Sequence, residues 1–94
     1  MTVIAPSVHL NGTSKKELVE QLRSSVSILE SAIEVMKEAS PHMRDYYVQN
    51  DGDAIFQIAR DNHYNRIAKV EDIIQEYHEI YEAMTVNPDT MFVF

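Results

Sequence analysis

The feature that most constrains this chain is a pair of apolar seams with helical spacing. In the first seam, apolar residues recur at alternating intervals of three and four: Val19, Leu22, Val26, Leu29, Ile33 and Met36. The second seam has the same intervals: Ile67, Val70, Ile74, Tyr77, Tyr81 and Met84. This spacing places every member of a seam on one side of an α-helix and is typical of coiled coils and helical bundles. The sequence therefore predicts an all-α fold built on two long helices.

Local signals predict where the helices begin and end. Ser14 and Glu17 have the spacing of a capping box, and Pro41 cannot continue a helix. The predicted parts are a leader over 1–13, a hairpin domain over 14–84 with helices over about 14–40 and 54–84, a connector over 41–53, and an apolar tail over 85–94. A connector of about a dozen residues lets the two helices fold back as an antiparallel two-helix hairpin.

The first helix carries more apolar surface than one partner helix covers. Beside its seam runs a second stripe: Leu18, Ile28, Ala32, Val35 and Ala39. A lone hairpin also buries too little surface to offset the chain entropy of a domain this small. We therefore expect homo-oligomerisation to complete a helical bundle, with residues 91–94 and 3–4 docked on a neighbouring subunit. Frayed termini are the alternative.

Composition excludes several classes of protein. The chain has no cysteine, which rules out disulfides, Cys-based zinc sites and thiol nucleophiles. Its net charge of −7 disfavours DNA or RNA as a partner. The longest apolar run is four residues, which is too short for a membrane span. Residues 1–5 lack the basic start of a secretory signal, so we expect a cytoplasmic protein.

The connector is rich in groups that hold nucleotides. Tyr46 and Tyr47 offer aromatic faces for bases, Arg44 pairs with phosphate, and Gln49 reads a base edge. The commoner situation is a folded loop in which the tyrosines cap the core and Arg44 bonds locally.

A second basic group lies on the backward extension of the second seam. Arg60 and His63 are one helical turn apart, and Arg66 follows at the next turn. A buried arginine needs a partner, because an unpaired buried charge is costly. The partner is either an anionic ligand or a carboxylate, from Asp45, Asp61 or another subunit.

Thr13 and Lys15 stand at the start of the first helix, where unpaired N–H groups suit phosphate. An ordinary cap followed by solvated lysines is the commoner situation. At the helical rise per residue this position is roughly 38 Å from the connector. The two positions would therefore share one ligand only across a subunit boundary.

The acids are concentrated away from the connector. Residues 71–94 hold six acids and no Lys or Arg, whereas residues 42–70 hold four of each sign. No histidine follows a glutamate at the three-residue spacing of di-iron bundles, and no catalytic motif is present. We therefore expect no metal, no cofactor and no catalytic residues, and a protein that is not an enzyme.

Three segments carry a resemblance to small bacteriophage proteins of helical-hairpin plan. They are Val8-His9-Leu10-Asn11-Gly12-Thr13-Ser14, then Pro41-His42-x-Arg44-Asp45-Tyr46-Tyr47-x-Gln49, then Ala59-Arg60-x-x-His63-x-x-Arg66. Their plan is similar to that of phage anti-defence sponges, which oligomerise and sequester the nucleotide signals of the CBASS and Thoeris systems. No binding residue is carried over from that likeness.

The leading hypothesis is a phage-type binding protein that sequesters a small anionic nucleotide, of cyclic oligonucleotide or cyclic ADP-ribose type, without catalysis. The alternative is a helical adaptor or inhibitor that binds a host or virion protein through the apolar tail and the acidic second helix.

Overall fold

The computed structural model describes residues 3–86. Within that range the chain forms two α-helices, α1 (Lys15–Glu38) and α2 (Gly52–Val86), joined by a loop with a 3-10 turn at Met43–Asp45. Residues 3–86 contain no β-strand. The prediction of an all-α fold with two long helices is confirmed. The predicted docking segment over residues 91–94 lies outside the described residues.

The first helix begins and ends at local signals. Ser14 has an extended backbone, and its hydroxyl oxygen accepts the Glu17 N–H at 3.2 Å. This bond satisfies one of the N–H groups that a helix start leaves unpaired. At the other end, the Ala39 N–H donates to the Met36 carbonyl at 3.1 Å, and Pro41 follows two residues later. The observed α1 is therefore shorter at both ends than the predicted helix over 14–40.

The second helix begins two residues before the predicted position, at Gly52. Asp51 precedes it with a left-handed φ of 55°, and the Asp51 carbonyl accepts the Ile55 N–H at 2.9 Å. Gly52 is buried against the backbone of the connector, where a Cβ would overlap the Tyr46 carbonyl oxygen and lie 3.0 Å from the Tyr47 Cα. The absent side chain is what lets the connector close directly onto the first turn of α2.

The two helices pack antiparallel. The His63 side chain, near the start of α2, meets the Met36 carbonyl near the end of α1, whereas Leu22 and Tyr77 line a common cavity at the other end. Among residues 3–86 three apolar side chains are buried, namely Ile33, Ile67 and Met84. All three belong to the predicted seams.

This hairpin is long and thin. Its extents are 64 × 22 × 17 Å, with a Cα radius of gyration of 19.7 Å. A globular chain of this length has a radius of gyration of about 12 Å. The second stripe of α1 is covered only in part, with Ile28 69% and Val35 64% exposed. One hairpin thus leaves part of its apolar surface in water.

Candidate functional site

The connector is a loop ordered by its own hydrogen bonds. The His42 Nδ1 accepts the Arg44 N–H at 3.2 Å, and the Met43 carbonyl accepts the N–H groups of Tyr46 and Tyr47 at 2.9 and 3.0 Å. Since Nδ1 acts as an acceptor, a neutral His42 carries its proton on Nε2. The loop presents Arg44 and Gln49 as exposed residues.

The two connector tyrosines have different surroundings. Tyr46 is half-buried, and its ring packs against Phe56 with centroids 6.0 Å apart and planes tilted by 54°. This is a favourable aromatic geometry, and it caps the end of the helix pair. Tyr47 is 66% exposed. Only the Tyr47 ring of this pair offers most of its surface to a ligand.

Arg60 lies beside the same ring. Its guanidinium carbon is 6.0 Å from the Phe56 centroid, and its Nη2 is 3.7 Å from the Asp61 carboxylate. That distance makes an ion pair but exceeds hydrogen-bond length. The side chain is 40% exposed, yet its Nε atom is buried and has no hydrogen-bond partner. Arg60 therefore keeps unused hydrogen-bonding capacity at the connector end.

His63 joins the two helices. The residue is buried, and its Nε2 lies 2.6 Å from the Met36 carbonyl oxygen. A carbonyl oxygen only accepts, so Nε2 carries the proton and donates it. The imidazole that the sequence placed among the ligand-binding groups therefore has a structural bond inside the hairpin.

The remaining predicted residues lie elsewhere. Arg66 is exposed, but six residues of helix rotate it by about 120° from Arg60 around α2. Thr13 and Lys15 stand at the start of α1, and the 24 residues of that helix span about 35 Å. One hairpin thus gathers Arg60, Tyr46 and the connector at one end and leaves Thr13 and Lys15 at the other.

A cleft that sequence reasoning missed lies between the helices near that other end. It has a volume of about 320 Å³ and is lined by Leu22, Arg23, Val26, Ser27, Glu30, Tyr77, His78 and Tyr81. Tyr77 and Tyr81 belong to the second seam. Arg23 and His78 each come directly after a seam residue in the sequence, and this position beside the seam was the signal that could have indicated the cleft. Phe56 was missed in the same way. It lies four residues before Arg60 on the backward extension of the second seam, and its ring packs beside the Arg60 guanidinium.

Comparison with known proteins returned no matching family model, no matching curated protein and no matching solved structure. Within residues 3–86, no helix is long and apolar enough to span a bilayer, and no three acidic or histidine side chains are grouped to hold a metal ion. The candidate site therefore rests on its own geometry.

Proposed function

We propose that this protein is a homo-oligomeric helical binding protein that captures a small anionic nucleotide at its connector end and does not turn it over. The ligand class is a cyclic oligonucleotide or a cyclic ADP-ribose. In a phage-infected cell, such capture would withhold a defence signal from its receptor.

The observation that carries this proposal is the state of Arg60. Its Nε is buried without a partner, and Asp61 is too far away to accept a hydrogen bond from Nη2. A bound phosphate would accept two parallel N–H bonds from the guanidinium, whereas the Asp61 carboxylate is too far away to accept one. The Arg60 side chain is 40% exposed, so its terminal Nη groups would gain the hydrogen-bond partner that Asp61 does not provide.

The neighbouring groups supply the other half of a nucleotide site. Arg44 and Tyr47 are both exposed on the connector. A base would stack on the Tyr47 ring, and Gln49 would hydrogen-bond to its edge. The balanced charge of residues 42–70 adds no net repulsion toward an anion, in contrast to residues 71–86, which hold five acids and no Lys or Arg.

Binding without turnover is supported by the role of His63. Because its Nε2–H donates to the Met36 carbonyl, that nitrogen cannot abstract a proton from a ligand. The imidazole holds the hairpin together beside the site.

Titration calorimetry tests the proposal with cyclic di- and trinucleotides and cyclic ADP-ribose isomers as ligands. We expect one of them to bind tighter than about 10 μM, or roughly 7 kcal/mol. Arg60→Ala and Arg44→Ala should each weaken that binding at least tenfold, and Arg23→Ala, in the distant cleft, should not. Binding of none of the panel refutes the proposal, and loss of binding in Arg23→Ala alone moves the site to the cleft.

The adaptor function remains the second candidate, because the connector end also exposes large apolar side chains. Val48 and Ile58 are both mostly exposed. Deleting residues 87–94 discriminates the two functions in a phage-replication assay against a signalling defence. The nucleotide proposal predicts that Arg60→Ala abolishes protection, whereas the adaptor function predicts that the deletion abolishes it and Arg60→Ala does not.

A further inference from the structure

We infer that a second copy of the chain packs antiparallel on one uncharged side of α1. This inference rests on the homo-oligomeric state proposed above. The surface, called the uncharged seam below, comprises seven positions spaced by three and four: Leu18, Gln21, Ser25, Ile28, Ala32, Val35 and Ala39. It has the periodicity of a coiled-coil contact. The chain covers it only in part, since Leu18, Gln21 and Ser25 line a groove with residues of α2 and with Ile4 and Pro6.

The uncharged seam is accessible. Ile28 and Val35 are 69% and 64% exposed, Gln21 and Ala39 are exposed, and the other three positions are half-buried. From Glu20 onward, the charged residues of α1 fall on other sides of the helix. The exposed strip is thus free of charge over about six turns.

The grooves beside the seam continue the same uncharged character. Two of them, of about 260 and 390 Å³, share Ser25 and Tyr77, and none of the described residues that line them is charged. The cleft that includes Arg23, Glu30 and His78 opens toward the other side of α1. Helix α1 is therefore uncharged on one side and charged on the other. An uncharged side of this kind is stabilised when a second layer covers it.

A second copy fits because the seam is self-complementary. In an antiparallel pair centred on Ile28, this residue meets its own copy, and Gln21 meets Val35. Ser25 then meets Ala32, and Leu18 meets Ala39. A small residue stands in the Ser25–Ala32 and Leu18–Ala39 pairs, which lets the helices approach closely on both sides of the central Ile28 pair. A two-fold interface requires this kind of self-pairing.

The charge distribution favours the antiparallel direction. Residues 71–86 of α2 carry five acids and no Lys or Arg, and they lie beside the start of α1. A parallel pair would place two such regions side by side. An antiparallel pair places the acidic region of each copy beside the neutral connector end of the other. It also sets the dipoles of the two α1 helices in opposite directions, which is the favourable arrangement.

The available area suits a stable dimer. The seam extends over about 32 Å at the helical rise per residue, and the hairpin is 22 Å wide in its second dimension. A second copy that covers the full width of the hairpin along this length would occupy about 700 Å², close to the roughly 800 Å² per partner of a standard specific interface.

The pairing also changes what the candidate site contains. With Ile28 on the axis, Lys15 at the start of α1 in one copy lies beside the end of α1 in the other, where the connector begins. Thr13 and Lys15 are about 35 Å from the connector within one hairpin. Two copies would bring both predicted phosphate-binding groups to one place, twice per dimer.

Sedimentation equilibrium tests the surface itself. We expect wild type to exceed the 10.8 kDa chain mass, and Ile28→Glu with Val35→Glu to halve the measured mass. Helicity by circular dichroism should fall together with the mass, because a lone hairpin buries little apolar surface. Both positions are exposed in the hairpin, so the substitutions remove no buried contact within one chain. The matched control, Ser27→Glu with Gln57→Glu, adds the same charge at exposed positions off the seam and should keep the wild-type mass.

The outcomes separate the two proposals. A monomeric wild type refutes the homo-oligomer of the proposed function. An oligomeric wild type whose mass is unchanged by the seam variants refutes only this interface.

Disulfide cross-linking tests the direction, since the chain has no cysteine of its own. Gln21→Cys mixed with Val35→Cys should form a mixed disulfide dimer after mild oxidation, and neither variant should cross-link alone. Ser27→Cys is the matched control and should stay uncross-linked. Cross-linking of Gln21→Cys and Val35→Cys each with itself indicates a parallel pair and overturns the antiparallel model.

Complementation tests the shared site once a ligand is known. Lys15→Ala and Arg44→Ala should each reduce binding, and mixing them should restore about one quarter of the sites, because random pairing makes half the dimers mixed, each with one intact site of two. No restoration by mixing, with each variant impaired alone, places the whole site within one chain and overturns this register.

Discussion

Gly52→Ala isolates the contact that holds the connector against α2. A Cβ at this position would overlap the Tyr46 carbonyl oxygen and approach the Tyr47 Cα to 3.0 Å. These are backbone atoms, so the connector must shift as a unit to make room. Elsewhere in a helix, replacing Gly by Ala stabilises by up to about 1 kcal/mol through propensity and the entropy of the unfolded chain. Here, overpacking costs about 1–3 kcal/mol. We expect a net destabilisation of about 1–2 kcal/mol.

Urea denaturation followed by circular dichroism at one protein concentration measures this effect. With a slope of about 1–1.5 kcal/mol/M for a domain this small, the midpoint should fall by about 1 M. Gly12→Ala is the matched control. Its Cβ would meet the His9 ring, 2.7 Å from Nε2, but this is the end of an exposed side chain that can rotate away. The control midpoint should therefore stay close to wild type. A Gly52→Ala variant as stable as wild type would refute the close-packing role of Gly52.

Substitutions at two further positions, Ser14 and His63, test the contacts at the two ends of α1 by the same urea measurement. Ser14→Ala removes the acceptor of the Glu17 N–H and should cost about 1 kcal/mol, whereas Ser14→Asp keeps an acceptor and should stay near wild type. An equal loss in both variants would contradict the capping role. His63→Leu removes the hydrogen bond to the Met36 carbonyl and should lower the free energy of unfolding by about 0.5–1.5 kcal/mol. The loss is small because this carbonyl still accepts the Ala39 N–H. His63→Ala should cost about 2–4 kcal/mol, because it adds a cavity, and equal costs for Leu and Ala would show that the packing of the ring contributes nothing.

The sequence predicted the helices well because their seams are long and regular. Ile33 and Ile67 are seam members, and both are buried. The prediction was weaker where two local signals compete. Asp51 and Asp53 are both suited to cap a helix start, and the predicted connector ends at the second of them. The structure uses Asp51 and Gly52 to start α2, since Gly52 fits under the Tyr46 carbonyl.

The candidate site was harder to predict because a side chain's role depends on its neighbours in space. Tyr46 has the same chemistry as Tyr47, yet Phe56 takes up the Tyr46 ring while Tyr47 remains 66% exposed. Arg60 lies on the seam and was expected to be buried. It is 40% exposed because a two-helix layer covers its seam residues on one side only. Spacing along the chain shows which face a residue occupies but not how much of that face is covered.

The thinness of the hairpin gives the proposed function and the proposed interface a common physical basis. A protein that only withholds a signal needs slow release, and slow release requires a ligand enclosed on several sides. One two-helix layer, 17 Å in its shortest dimension, offers surfaces and open clefts. Packing a second copy on the uncharged seam would close a site between the connector of one chain and the start of α1 in the other. A ligand held by both copies then stabilises the pair by RT ln(1 + [L]/Kd), about 2.7 kcal/mol at one hundred times Kd. Capture and assembly would thus be thermodynamically linked, since each ligand bound would strengthen the pair that encloses it.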